Sequence, residues 1–389
     1  MNLVKEKIKQ AQQILKELKI DCWLVFLRES SMMADPVLPL VVGHEVTWQS
    51  FFIYTQKAKA LALVGNFDRD NFVRSGCFDE VHSYTANPKE EFLSLLNRID
   101  PKQIAVDYST NDVASDGLTH GMYLLLSDYL KETKYFDRMV SAEKLISKLR
   151  SRKIPEEIKL LQKAAAIACE VWDEVAPKIK TGLTEKEVGQ LIDSAIASRG
   201  CTVSFDTLVN AGDKTEAGHG LPTDAKIGAG DLLHVDFGVR YQNYCSDIQR
   251  LLYLKRPKEA KPPNELIDAF NMVNEIISEA AKMCQPGVKG YEVDTKAREI
   301  LRENGYPEYQ HALGHQLGRG VHDGGAVLGP KWERYGNTPE IPLEEGNVFT
   351  LELEIFLPGI GCVGLEEDVL IIEQKTCFLS KRQLELAVK

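Results

Sequence analysis

The sequence predicts an α+β protein of two domains. An N-terminal α/β domain over residues 1–148 precedes a domain over residues 149–389 built from a duplicated helix–helix–strand unit. Three observations predict it. Strand-like and helix-like segments alternate up to about residue 145, as in α/β domains. A glycine-bounded helical stretch starting at Lys180 recurs at Gln285, an offset of 105 residues. Apolar strand-like segments in the second half carry carboxylates, which need compensation in such surroundings.

The elements follow in chain order. "NLVKEKIKQAQQILKELKI" puts Val4, Ile8, Leu15 and Leu18 on one helical face,. It is too charged for a signal peptide. "DCWLVFL", "FFIYT", "ALALVG" and "QIAVDYS" read as buried strands, and "EEFLSLLNRI" and "GMYLLLSDYLKE" as helices. The prolines and polar residues of "RESSMMADPVLPLVVGHEVTW" predict a long loop. A boundary falls near "SKLRSRKIPEE", where Pro155 suits the first turn of a new helix,. Beyond it, Ile158, Leu161, Ala165 and Ala168 repeat with a helical period,.

Aligned without gaps, the repeat pairs Gly182 with Gly287, Glu187 with Glu292, Val188 with Val293 and Gly200 with Gly305. Each copy reads as a glycine turn, a helix and a C-terminal glycine. Thr184 and Glu187 form a capping-box pattern in the first copy,. A long amphipathic helix precedes each copy, at 158–178 and 264–284, and strands follow.

Composition narrows the function. The 389 residues are 44% hydrophobic and 27% charged, with a formal net charge of -10. That acidic excess argues against nucleic acid or an anionic membrane surface as partner. No run is apolar enough for a transmembrane helix. The eight cysteines are scattered without a CxxC pair, which points to a reduced, cytoplasmic setting and no thiolate metal site.

"VDFGVRYQNYCSD" has Asp236 and Asp247 near its ends. A turn about the Tyr241–Gln242 bond would pair residue i with residue 483 − i and set the two aspartates directly opposite, with Cβ atoms about 5 Å apart. Two such charges need a proton or a cation between them. The alternative is one turn-capping and one solvated aspartate. "HALGHQLGRGVHDGG" adds His311, His315 and His322 among glycines. "VFTLELEIF" alternates, with Thr350, Glu352 and Glu354 on one face, and "GCVGLEEDVLII" sets Glu366, Glu367 and Asp368 beside an apolar strand.

In order and spacing, "VDFGVRYQNYCSDIQR", "GHQLGRGVHD", "FTLELE" and "LEEDVLII" resemble the metal-binding segments of the pita-bread metallopeptidases. "SFDTLVNAGDKTEAGHGLPTD" resembles the stretch before the first metal aspartate in the prolidase and aminopeptidase P branch. The resemblance implies a creatinase/prolidase-like N-terminal domain, a pita-bread catalytic domain with a pseudo-twofold repeat, and a homodimer. It implies metal ligation by Asp236, Asp247, His315, Glu352 and a final glutamate. An acid followed by Asp and an apolar strand picks Glu367, with Glu366 as the alternative. Four carboxylates match two divalent ions in charge. Oxygen donors with one imidazole suit manganese first, with zinc or cobalt as alternatives.

The same resemblance gives His219 a place near the scissile amide, His322 a contact with the substrate carbonyl or tetrahedral intermediate, and Glu352 the role of proton acceptor. His234 and His311 have no firm role. Asp368 is expected to be solvated or capping. An arginine usual two residues before the last ligand is replaced, in this register, by Leu365. The implied activity is metal-dependent hydrolysis of an amide bond in short peptides, as an Xaa-Pro aminopeptidase or dipeptidase. A non-peptide amide hydrolase and a non-catalytic binding protein on the same scaffold are the alternatives.

Overall fold

A computed structural model of the chain describes residues 2–213, 220–373 and 375–389. The chain divides into two compact units, Met1–Arg150 and Ser151–Lys389. In the first, the buried segments form Cys22–Leu27, Ser50–Thr55, Ala60–Gly65 and Ile104–Val106. They belong to a six-stranded mixed sheet completed by Glu80–Tyr84 and Met139–Ser141 at its two edges. The edge strands escape the sequence reading because they are only half buried, so neither has an apolar run,. Because side chains alternate along a strand, the sheet feeds two cores. Trp23, Val25, Phe52 and Tyr54 pack on one face, and Leu24, Phe26, Phe51 and Ile53 on the other. The expected long loop is partly ordered as a π-helical turn, Leu38–Val42, which buries Leu40, Val41 and Val42.

In the second unit the repeat is visible in backbone detail. Gly182 and Gly287 have φ of 91° and 92°, and Gly200 and Gly305 have φ of 70° and 77°. These left-handed values favour glycine. The Gly182 N–H donates to Ile227 and the Gly287 N–H to Leu343, each at 2.8 Å. The helices Glu185–Ser198 and Gly290–Glu303 then begin alike. The Thr184 N–H and the Lys289 N–H each donate 2.7 Å bonds, to Glu187 and to Glu292. The preceding helices, Pro155–Val175 and Asn264–Met283, pack on them, and both pairs cover a largely antiparallel sheet.

That sheet runs in the order Val348–Leu357, Gly361–Ile372, Ile248–Tyr253, Leu232–Phe237, Leu208–Ala211, with short strands at its margins. Among the described residues, no helix is long and apolar enough to cross a membrane.

Candidate metal centre

The hairpin after Asp236 turns at Gln242 and Asn243, both with positive φ, 46° and 65°, as a two-residue type I′ turn requires. Tyr241 therefore pairs with Tyr244, and Asp236 pairs with Gln249. The expected register set Asp236 opposite Asp247, so the structure corrects it by two positions. An even slip leaves every side chain on its face, and Asp247 still comes to the Asp236 side of the sheet. The cross-strand pairs continue from Gln249 to Glu366 and from Glu366 to Glu352. Asp236, Gln249, Glu366 and Glu352 thus form one row across four strands.

His315 reaches this row from a loop that could not approach with a larger neighbour. A Cβ on Gly314 would lie 2.0 Å from the Thr350 carbonyl oxygen. The Thr350 N–H donates to the His315 carbonyl at 3.0 Å, and the His315 N–H donates to Thr350 Oγ1 at 3.1 Å. His315 Nε2 then lies 3.6 Å from Glu352 Oε1 and 3.7 Å from Asp247 Oδ2. Ligand atoms of Asp247, His315 and Glu366 lie within 4.8 Å of one another.

Electrostatics mark the cluster as incomplete by itself. Burial, then repulsion from Glu352, pushes Asp236 far above the ordinary carboxylate range. Burial, then Asp236 and Glu352, does the same to Asp247. Glu366 is raised by burial and then by Asp247, and Glu352 chiefly by burial. Burial, with His322 next to it, lowers His315 to about 3, so its imidazole is neutral and able to ligate. Among the described residues, Asp236 Oδ1, Asp247 Oδ1 and Glu366 Oε1 are buried without a hydrogen bond. Native proteins rarely leave such atoms unsatisfied. Four oxygen donors, a neutral imidazole and orphaned oxygens aimed inward fit divalent cations.

Glu367 does not fit there, and the sequence expectation is corrected. Its Oε2 accepts from Arg250 Nη2 at 3.1 Å and from Ser380 Oγ at 2.5 Å, and its Oε1 from the Gln383 N–H at 3.2 Å. It points to the opposite face of the sheet, fully partnered, while Glu366 faces the cluster. The run Glu366-Glu367-Asp368 offers two acids one residue apart, and pairing with Gln249 and Glu352 selects the first. The position two residues before it is then Gly364, not Leu365.

Asp368 is not solvated either. It is buried and accepts the Asp247 N–H at 3.3 Å, bracing the strand end that carries Asp247. His322 is exposed, its ring edge-on to His315 at a centroid distance of 4.3 Å. His311 donates to Glu354 at 2.5 Å. Burial lowers its basicity, but the Glu354 hydrogen bond and charge outweigh burial and raise it to about 9. His219 lies outside the described residues. Sequence reasoning missed Gln249 and Thr350; neither carries a motif signal, and only strand pairing and loop docking reveal them.

Residues 159–373 match the model of metallopeptidase family M24. An Xaa-Pro dipeptidase of Pyrococcus horikoshii is 26% identical over 389 residues, covering 99% of this chain and all of that protein. An Xaa-Pro dipeptidase of Pyrococcus furiosus is 32% identical over 258 residues, covering 66% of this chain and 70% of that one. The crystal structure of X-Pro aminopeptidase from Thermotoga maritima superposes with a TM-score of 0.74 at 26% identity, covering 98% of this chain and 99% of that one.

Proposed function

Because the chain belongs to metallopeptidase family M24 and is a peptide hydrolase, we propose that it cleaves the bond before proline in short peptides, as an Xaa-Pro dipeptidase or aminopeptidase. The observation that carries this reading is the row of Asp236, Glu366 and Glu352, joined by Asp247 and His315, in a chain similar over its whole length to an Xaa-Pro dipeptidase.

Asp236, Asp247, His315, Glu352 and Glu366 would hold two divalent ions, manganese in the first instance. Bound there, the ions supply charge neutralisation and Lewis acidity toward a carbonyl. The side chains do the rest. Glu352 accepts the proton of the attacking water and returns it to the leaving nitrogen. His322, exposed and edge-on to His315, donates a hydrogen bond to the developing oxyanion. The resemblance would give His219 a role toward the scissile amide in the same scheme. A homodimer working in the cytoplasm completes the proposal, and all eight cysteines are free, in keeping with a reducing compartment.

The test is metal quantification coupled to hydrolysis of Xaa-Pro dipeptides, longer Xaa-Pro peptides and non-proline controls. Bound metal with preferential cleavage of Xaa-Pro substrates is expected. Equal or faster cleavage of the non-proline controls would overturn the proline assignment. Absence of metal after purification in manganese would overturn the ligand set.

A further inference from the structure

Gly364 lies two residues before Glu366 and pairs with Glu354. A Cβ at this position would stand 2.8 Å from His234 Nε2 and 2.9 Å from Gln249 Oε1. The absent side chain therefore makes room for two polar groups. His234 is buried, and its Nε2 lies 2.9 Å from Gln249 Oε1. Gln249 Nε2 lies 3.3 Å from Glu352 Oε2.

The direction of these bonds follows from chemistry. A carboxylate only accepts, so the Gln249 amide turns its NH2 toward Glu352 and its oxygen toward His234. His234 must then donate from Nε2. Without that donor, nothing in this chain of bonds would stop the amide from flipping and presenting its oxygen to Glu352. The other Glu352 oxygen, Oε1, lies 3.6 Å from His315 Nε2. One carboxylate oxygen is held from behind and the other is turned to the centre.

We propose that His234 and Gln249, in the space left by Gly364, are positioning residues that fix the rotamer of Glu352. The proposal rests on the reading of Glu352 as a metal ligand and proton acceptor. It assigns a task to the buried histidine and to the glutamine that the ligand set leaves unused. Outer groups that orient ligands commonly control metal affinity and rate.

The experiment measures manganese affinity by chelator competition, kcat and KM on an Xaa-Pro dipeptide, and thermal unfolding of the metal-free protein. Gln249→Met and His234→Leu each lower manganese affinity or kcat by roughly 10–100-fold, with KM changed by less than about threefold. The double variant is no worse than Gln249→Met alone, because serial groups are not additive. His234→Gln, which keeps a donor, recovers much of the loss. Gly364→Ala displaces His234 and repeats the loss without altering either polar group, so it carries the test if a variant at 234 or 249 unfolds.

Wild-type affinity and kcat in Gln249→Met, or additive losses in the double variant, would overturn the relay while leaving the metal reading intact. Failure of the wild-type protein to bind manganese would overturn both.

Discussion

In the first unit Asp35 and Asp107 are buried together; in the second, Asp236, Asp247, Glu352 and Glu366 converge. Asp107 accepts from Trp23 Nε1, and Asp35 accepts the Val37 N–H at 2.9 Å. Their remaining oxygens are buried without a hydrogen bond. Burial, then mutual repulsion, raises Asp107, and burial raises Asp35 despite the charge of Arg150. The pair is also walled in, since a Cβ on Gly117 would stand 1.9 Å from Asp35 Oδ2. A single proton satisfies two acids in a closed space. Four acids around a neutral imidazole exceed what shared protons can balance, and their cluster adjoins the exposed His322. The number of acids and the room beside them decide whether a buried carboxylate group takes a proton or a cation.

The comparison breaks most directly at Asp247. Asp247→Asn is expected to abolish peptide hydrolysis and remove bound metal, read by activity and metal analysis on the same sample. Full activity would put the second-unit acids in the same class as the Asp35–Asp107 pair.

Adjacent glutamates sharpen it next. Glu366→Gln should weaken manganese binding by more than about 100-fold, beyond the range typical of outer residues, with little loss of metal-free stability. Glu367→Gln should instead cost about 3–5 kcal/mol of stability by leaving the buried Arg250 charge without its carboxylate,. Denaturant unfolding and chelator competition on both variants separate these outcomes, and an exchange of the two phenotypes would reverse the assignment.

Manganese at about 100 times its Kd should stabilise the folded protein by about 2.7 kcal/mol per site. That gain should vanish in Asp247→Asn and persist in Asp107→Asn. The smallest effect concerns pH. The raised folded-state values of Asp35 and Asp107 mean that the folded form binds the extra proton. Their contribution is therefore complete below about pH 4 and is lost as the pH rises through the folded-state values. Asp107→Asn should flatten the decline in unfolding free energy as the pH rises through the folded-state value of Asp35, about 6, read by denaturant unfolding at a series of pH values,. An unchanged slope would mean the pair does not share a proton.

Much of this was legible from local pattern. Apolar runs mark Cys22–Leu27 and Ala60–Gly65, and the glycines of the repeat announce left-handed turns that the backbone adopts at both copies. The carboxylates in apolar strands and the histidines among glycines pointed to the centre. The half-buried edge strand Glu80–Tyr84 was illegible, because its stability comes from pairing with Ala60–Gly65 rather than from its own composition,.

By itself the sequence determined the buried strands and the glycine turns of the repeat, and that several acids lie in apolar strands. Only the tertiary structure decided that Asp236 pairs with Gln249, that Glu366 and not Glu367 faces His315, and that His234 reaches Gln249 across Gly364. The reason is that alternation within a strand fixes two faces but not which one meets the neighbours. That choice belongs to cross-strand register, which joins residues as far apart as Gln249 and Glu366,.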